Sequence, residues 1–327
     1  MKAIAILLAA ANLALAASAA DWATFPGKSG PGHGKRIVLL AGDEEYRSEE
    51  GLPMLAKILS QRHGFDCTVL FAINPADGTI DPLTLTNVPG MAQLDNADLV
   101  ICQFRFRELP DADMEHLAKY LQAGKPIIGL RTATHSFAYE KNKQSRFAAW
   151  DWQSKEWSGG FGEQVLGETW INHHGDHGKE STRGLIDGMS AGHPILRGVK
   201  DVWGPTDVYS VIHVRPADTV LLHGLSLRGM TPDAPPNYDK SLMPIVWLHS
   251  YTWPNGRTSH ALTSTIGAAV DLQSEDLRRL FVNACYWFTG LEVPAKADVS
   301  YVGDYHPSYF GFGKFVKGVK PAELELK

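Results

Sequence analysis

Between Arg36 and Leu130 the chain alternates short apolar runs with segments of helical period. Arg36-Ile37-Val38-Leu39-Leu40-Ala41 predicts a buried strand, and Leu52, Leu55, Ile58 and Leu59 then recur on one helical face behind Ser48, read as an N-cap. Residues 65–71 predict a second strand and residues 97–102 a third. A helix over residues 111–122 follows, with Met114, Leu117 and Leu121 on one face, and residues 125–130 predict a fourth strand. This β-α-β order opens a parallel sheet.

Past Ser136 the period is lost. Residues 138–180 read as a long excursion folding back over the strand ends, carrying Trp150, Trp152, Trp157 and Trp170 and closing on His173-His174-Gly175-Asp176-His177. Residues 219–222, 244–248 and 258–263 predict further strands, the last two joined as a hairpin through Tyr251-Thr252-Trp253-Pro254-Asn255-Gly256-Arg257. Leu277, Leu280, Phe281, Ala284 and Phe288 form the stripe of a helix over residues 274–288, with Ser274, Glu275 and Asp276 at its start. The Gly- and Pro-rich residues 21–34 predict a surface leader. Residues 21–292 are expected to form one α/β domain, and residues 293–327 a docked C-terminal extension.

Composition changes this picture in three places. Lys2, the apolar residues 3–16 and the small residues Ala17-Ser18-Ala19-Ala20 make residues 1–20 an expected signal peptide, so the protein is expected to be exported, periplasmic or secreted. A formal net charge of -5 with interspersed signs argues against nucleic acid, and nothing after the signal reads as a membrane span. Cys67, Cys102 and Cys285 lie in apolar runs and read as small buried hydrophobes, with a Cys67–Cys102 bridge left open.

The polar residues that follow three of the strands carry the candidate chemistry, because ligands of open α/β sheets bind beyond the carboxyl ends of strands. They are Asp43-Glu44-Glu45-Tyr46-Arg47, Arg105-Phe106-Arg107 and Arg131-Thr132-Ala133-Thr134-His135. His135 and Glu45 are candidate proton carriers. Arg131 is a candidate stabiliser of an oxyanion, or else a buried partner of Glu44 or Glu45. Arg47 and Arg105 are expected to bind ligand, whereas Arg107 reads as solvated. Thr132 and Thr134 read as turn or cap hydroxyls that line the pocket. Glu49 and Glu50 suit the first turn of a helix, where its dipole favours carboxylates. Trp170 is a candidate stacking surface for a sugar, and His174 a group that orients a hydroxyl. No metal is expected, since no spaced motif such as His-Glu-x-x-His is present; His173, His174 and His177 are the candidates should a divalent ion bind.

The chain resembles the ThuA-like (trehalose-utilisation) family. The resemblance is carried by Ala41 to Glu50, Arg105-Phe106-Arg107, Gly129 to Phe137, His173-His174-Gly175, His193-Pro194-Ile195 and Leu277 to Trp287. It implies a flavodoxin-like, class I glutamine amidotransferase-like α/β fold, a three-layer sandwich with a mostly parallel central sheet. The chain looks like an exported subgroup of that family, and with the polar loops above it is expected to bind and transform a small saccharide or keto-sugar derivative by acid/base chemistry, with no cofactor expected. The alternatives are a non-catalytic sugar-binding or structural module and a metal-dependent hydrolase. Two departures stand out. The first loop holds Asp43 to Arg47 where many such sequences hold a His, and Ala268 follows Gly267 where many have a His. Amidotransferases of this fold place a Cys nucleophile where this chain has Thr132-Ala133-Thr134, so glutamine amidotransfer by that route is not expected.

Overall fold

Ile37, Leu39 and Ala41 of the strand Arg36–Gly42 (β2) pack to one side of the sheet and Val38 and Leu40 to the other, the alternation of an extended chain. Both sets are enclosed because β2 is central and covered on both faces. The computed structural model describes residues 21–326, and the expected signal peptide lies outside them. Strands Asp66–Phe71 (β3) and Leu99–Phe104 (β4) flank β2 in parallel. Ile127–Leu130 (β5) follows β4, and Thr258–Ser264 (β10) follows β5, also in parallel.

The expectation of a mostly parallel sheet needs correction. Trp22–Phe25 (β1) adds antiparallel to β3, and beyond β10 every pairing is antiparallel: Met243–Thr252 (β9), Thr219–Leu227 (β8), Ser181–Ile186 (β6) and Val202–Gly204 (β7). The order is β1-β3-β2-β4-β5-β10-β9-β8-β6-β7. A short turn between β9 and β10 permits only an antiparallel pair, and the strands beyond continue that sense. β1 replaces the start of the expected surface leader, while residues 26–34 run as mostly exposed coil and turn: Ala23 and Phe25 are buried, and its ladder runs from Trp22 opposite Leu70 to Phe25 opposite Cys67.

Helices complete a three-layer arrangement. Ser48–His63 (α1) and Glu275–Phe288 (α4) pack Leu52, Leu55, Leu277 and Phe281 against one face. Asp111–Gln122 (α2) and Gly160–Leu166 (α3) pack Met114, Leu117, Phe161 and Val165 against the other. Each such enclosed side chain stabilises the fold by roughly 1.5–3 kcal/mol. Ser274 caps α4 by accepting the amide of Leu277. Ser48 does not cap α1; its hydroxyl accepts the amide of Asp43, and Arg47 enters the helix in a left-handed conformation. Val293, Ala297 and Val299 join the core on the α4 side. No described helix is long and apolar enough to cross a membrane.

The cysteine bridge left open by the sequence is absent: all three cysteines are buried free thiols. β2 lies between β3 and β4, so Cys67 and Cys102 sit on strands that never touch. Helix α3, inside the excursion, braces the loop after β5. A Cβ added at Gly162 would lie 2.0 Å from the Thr134 carbonyl oxygen. Gly162→Ala is therefore expected to cost about 1–3 kcal/mol, seen as a lower urea midpoint with an unchanged m-value.

Candidate functional site

Three parallel strands end in the same way. After β2, β4 and β5 the chain passes through a non-glycine residue at positive φ: Arg47 at 62°, Phe106 at 52° and Arg131 at 44°. These are all such residues among those described. Each conformation costs of order 1–3 kcal/mol, and such strain gathers where surrounding contacts dictate the backbone. Here the loops are tied together: Phe106 and Arg107 donate their amides to the carbonyls of His135 and Ser136, at 2.9 and 2.7 Å.

Asp207 is the hub of the resulting cluster. The segment carrying His173 pairs with the segment carrying Asp207 through a bridge between His173 and Tyr209. The amides of His174 and Gly175 both donate to Val208 O at 2.9 Å. His173 Nδ1 and His177 Nδ1 then lie 2.7 and 2.9 Å from the two oxygens of Asp207. From the opposite side Arg131 donates to Asp207 Oδ1 at 3.0 Å and to the carbonyls of Asp207 and Thr265, both at 2.7 Å. Its guanidinium also lies 3.6 Å from the Tyr209 ring centroid and 3.2 Å from the Tyr46 hydroxyl. Burial alone would raise the Asp207 pKa, but Arg131 and the two imidazoles overcome it and hold the carboxyl well below its usual range. The hydrogen bond to Asp207 in turn raises the pKa of His177.

Glu45 faces this hub. Its carboxylate lies 3.4 Å from His177 Nε2 and 3.8 Å from Arg105 Nε. Burial first, and then the neighbouring Asp43, raise its pKa, against the opposing pull of Arg105 and His177. Asp43 fixes the loop from below by accepting the amides of Glu45 and Tyr46 at 2.6 and 2.7 Å and the hydroxyl of Thr132. Glu44 is the partner of Arg105 and of Arg107, the latter at 2.7 Å. Arg107 is fully enclosed and also donates to the carbonyls of Arg105, Pro82 and Thr84, which corrects its reading as a solvated side chain.

An aromatic wall borders the carboxylate and imidazoles. Arg105 lies between Phe106 and Phe312, 4.4 and 5.0 Å from their centroids. Trp152 packs on Phe106 and Trp170, and Trp170 on His173. Trp152 separates two clefts, one of about 570 Å³ lined by Glu44, Phe106 and Glu108, the other of about 530 Å³ lined by Glu163, Trp170 and His213. Trp150 and Trp157, by contrast, pack with Trp253 away from this wall.

The structure therefore gathers Glu45, Arg105, Trp170, His173 and His177 at one place and leaves other expected site residues outside it. Arg131 and Thr132 are fully enclosed and committed to protein partners, so the polar strand end acts as a foundation. Arg131 is also not the partner of Glu44 or Glu45, since Asp207 holds it. Arg47 is enclosed between Glu49 and the Gly311 carbonyl, away from any ligand-facing surface. Thr134 is buried beside His135. His135 itself is 3 % exposed, packed at a tilt against Phe106 and Trp170. Burial pushes its pKa well down, with Arg105, Arg131 and His173 adding to the effect, so its ring is neutral. His174 turns away and meets the Ser241 carbonyl at the surface. Asp207 and Tyr209 had no signal in the sequence, because their place depends on pairing two segments far apart in the chain, and Tyr46 stood in the first polar loop without an assigned role.

No family model and no curated protein matches the chain. Among solved structures, one described as thua-like from Parabacteroides merdae aligns over 80% of this chain and 92% of its own, at 14% identity and TM-score 0.49. Another, from Bacteroides uniformis, aligns over 81% and 95%, at 13% identity and TM-score 0.47. The glutaminase domain of a Trypanosoma brucei CTPS, with bound acivicin, aligns over 82% and 100%, at 12% identity and TM-score 0.38. Two thua-like structures thus stand among the chain's structural neighbours, and none of these likenesses carries a reaction to it.

Proposed function

We propose that this chain is an exported ThuA-like protein that binds a carbohydrate or keto-sugar derivative at the carboxyl edge of its sheet and transforms it by acid/base chemistry. The observation that supports this reading is the position of Glu45: a carboxyl of raised pKa beside His177 and Arg105, with Arg105 lying over Phe106 and Trp152 and Trp170 packed beyond it. Flat apolar rings suit the C–H faces of a sugar, and the polar groups between them suit its hydroxyls. Glu45 takes the proton from a carbon beside a carbonyl or from a hydroxyl. Arg105 supplies the positive charge that stabilises the developing oxyanion. The neutral, enclosed His135 supports the wall and is replaced by Glu45 as proton carrier.

The test is turnover of disaccharides and their 3-keto forms by the purified mature protein. Glu45→Gln keeps the shape of the side chain and removes the base, and is expected to lower kcat by about 10²–10⁴-fold. His135→Ala should retain far more activity than Glu45→Gln. Equal turnover by Glu45→Gln and the parent protein would sink the assignment. Calorimetric sugar binding with no turnover of any sugar would replace the enzyme by a binding module.

A further inference from the structure

We infer that His173, His177 and Asp207 form a binding site for a divalent transition-metal ion. A ring nitrogen from each histidine and a carboxylate oxygen of Asp207 all lie within 4.8 Å of one another. Around a tetrahedral ion with bonds of about 2.0–2.2 Å, adjacent ligand atoms stand roughly 3.3–3.5 Å apart. The two Nδ1 atoms are now 2.7 and 2.9 Å from the two different oxygens of Asp207, so each imidazole already faces the carboxylate at somewhat less than ligand spacing and the group must spread to admit an ion. The ion takes the place that the Nδ1 protons hold between the rings and the carboxylate.

The surroundings are those of a ligand set rather than of a lone ion pair. Metal-bound histidines commonly engage a carboxylate or carbonyl through their second nitrogen, which fixes the ring. Glu45 stands 3.4 Å from His177 Nε2 in that position. Arg131 donates to both the side chain and the main chain of Asp207, which locks the carboxylate in place. Access is one-sided: Asp207 is fully enclosed, while the His173 and His177 side chains are 34% and 36% exposed. Three protein ligands leave a coordination position open toward solvent, as in catalytic rather than structural sites. Two imidazoles with one carboxylate favour zinc and other first-row ions over magnesium or calcium.

This inference does not depend on a carbohydrate substrate, and its test contains none. Chelator-treated mature protein is titrated with zinc chloride by calorimetry, and metal content is measured after desalting. The parent protein and His174→Ala are expected to bind one equivalent. The double variant His173→Ala/His177→Ala is expected to lose more than the roughly 100-fold that removing an outer partner costs, with its fold checked by circular dichroism. Failure of the folded parent protein to take up stoichiometric zinc overturns the site, and so does equal affinity in the parent and the double variant.

Discussion

Replacing Asp207 by alanine is expected to lower stability by about 3–5 kcal/mol, the largest loss from any single change at the site. The reason lies in what remains. Arg131 and Asp207 both have fully enclosed side chains, and removing the carboxylate leaves a guanidinium without an ion-pair partner among the described residues. The Asp207 and Thr265 carbonyls and the faces of Tyr46 and Tyr209 still surround it and the Asp271 carboxylate acts on it without touching it, but these offset only part of a buried charge. Two imidazoles also lose their shared acceptor. Asp207→Asn keeps one oxygen and most of the shape, so its loss is expected to be smaller. Arg131→Met combined with Asp207→Ala should be more stable than the sum of the two single losses, because no orphan charge is left. Urea denaturation of the four proteins checks this. A loss below about 1 kcal/mol for Asp207→Ala, a value ordinary for surface pairs, would show that the pair does not anchor the site.

That dependence on a long-range pair explains what the sequence could and could not reveal. Strands β2 to β5 and helix α4 were legible because burial writes a local pattern: alternating or continuous apolar residues, and a 3.6-residue stripe. The three polar loops were legible as well, since polar residues at once after buried strands mark the binding edge. What the residues do there was not. Arg131 reads as a ligand-binding group from its position, yet it is drawn inward by Asp207, 76 residues later. His173 and His174 show the same limit in miniature. Neighbouring residues of an extended segment point to opposite sides, so one reaches Asp207 and the other the surface. Which one goes inward is decided by the partner segment at Val208. The short strands β6 and β7 carried too little periodicity to be seen, so the antiparallel half of the sheet was read only as far as β8, β9 and β10.

The second large effect is a dependence of stability on pH that Glu49→Gln should abolish. Glu49 opens α1, where the helix dipole favours a carboxylate, but it is only 8 % exposed and its Oε2 has no hydrogen-bond partner among the described residues. Burial outweighs the backbone hydrogen bond and the charge of Arg47, 3.4 Å away, and the carboxyl is pushed up to about 8 from 4.5. Between those two values the folded protein holds a proton that the unfolded chain has already lost. Folding then binds protons, so stability falls as pH rises from about 4.5 to about 8 and levels off above it. The slope reaches about 1.4 kcal/mol per pH unit, and the whole loss is on the order of 5 kcal/mol. Glutamine has nearly the same shape and no charge, so the variant should match the parent near pH 4 and exceed its stability increasingly toward pH 8. Urea midpoints at pH 4.5, 6 and 8 measure the gap. If Arg47 instead kept Glu49 ionised as a true buried pair, the variant would be the less stable protein at pH 8, and the sign of the gap decides between the two.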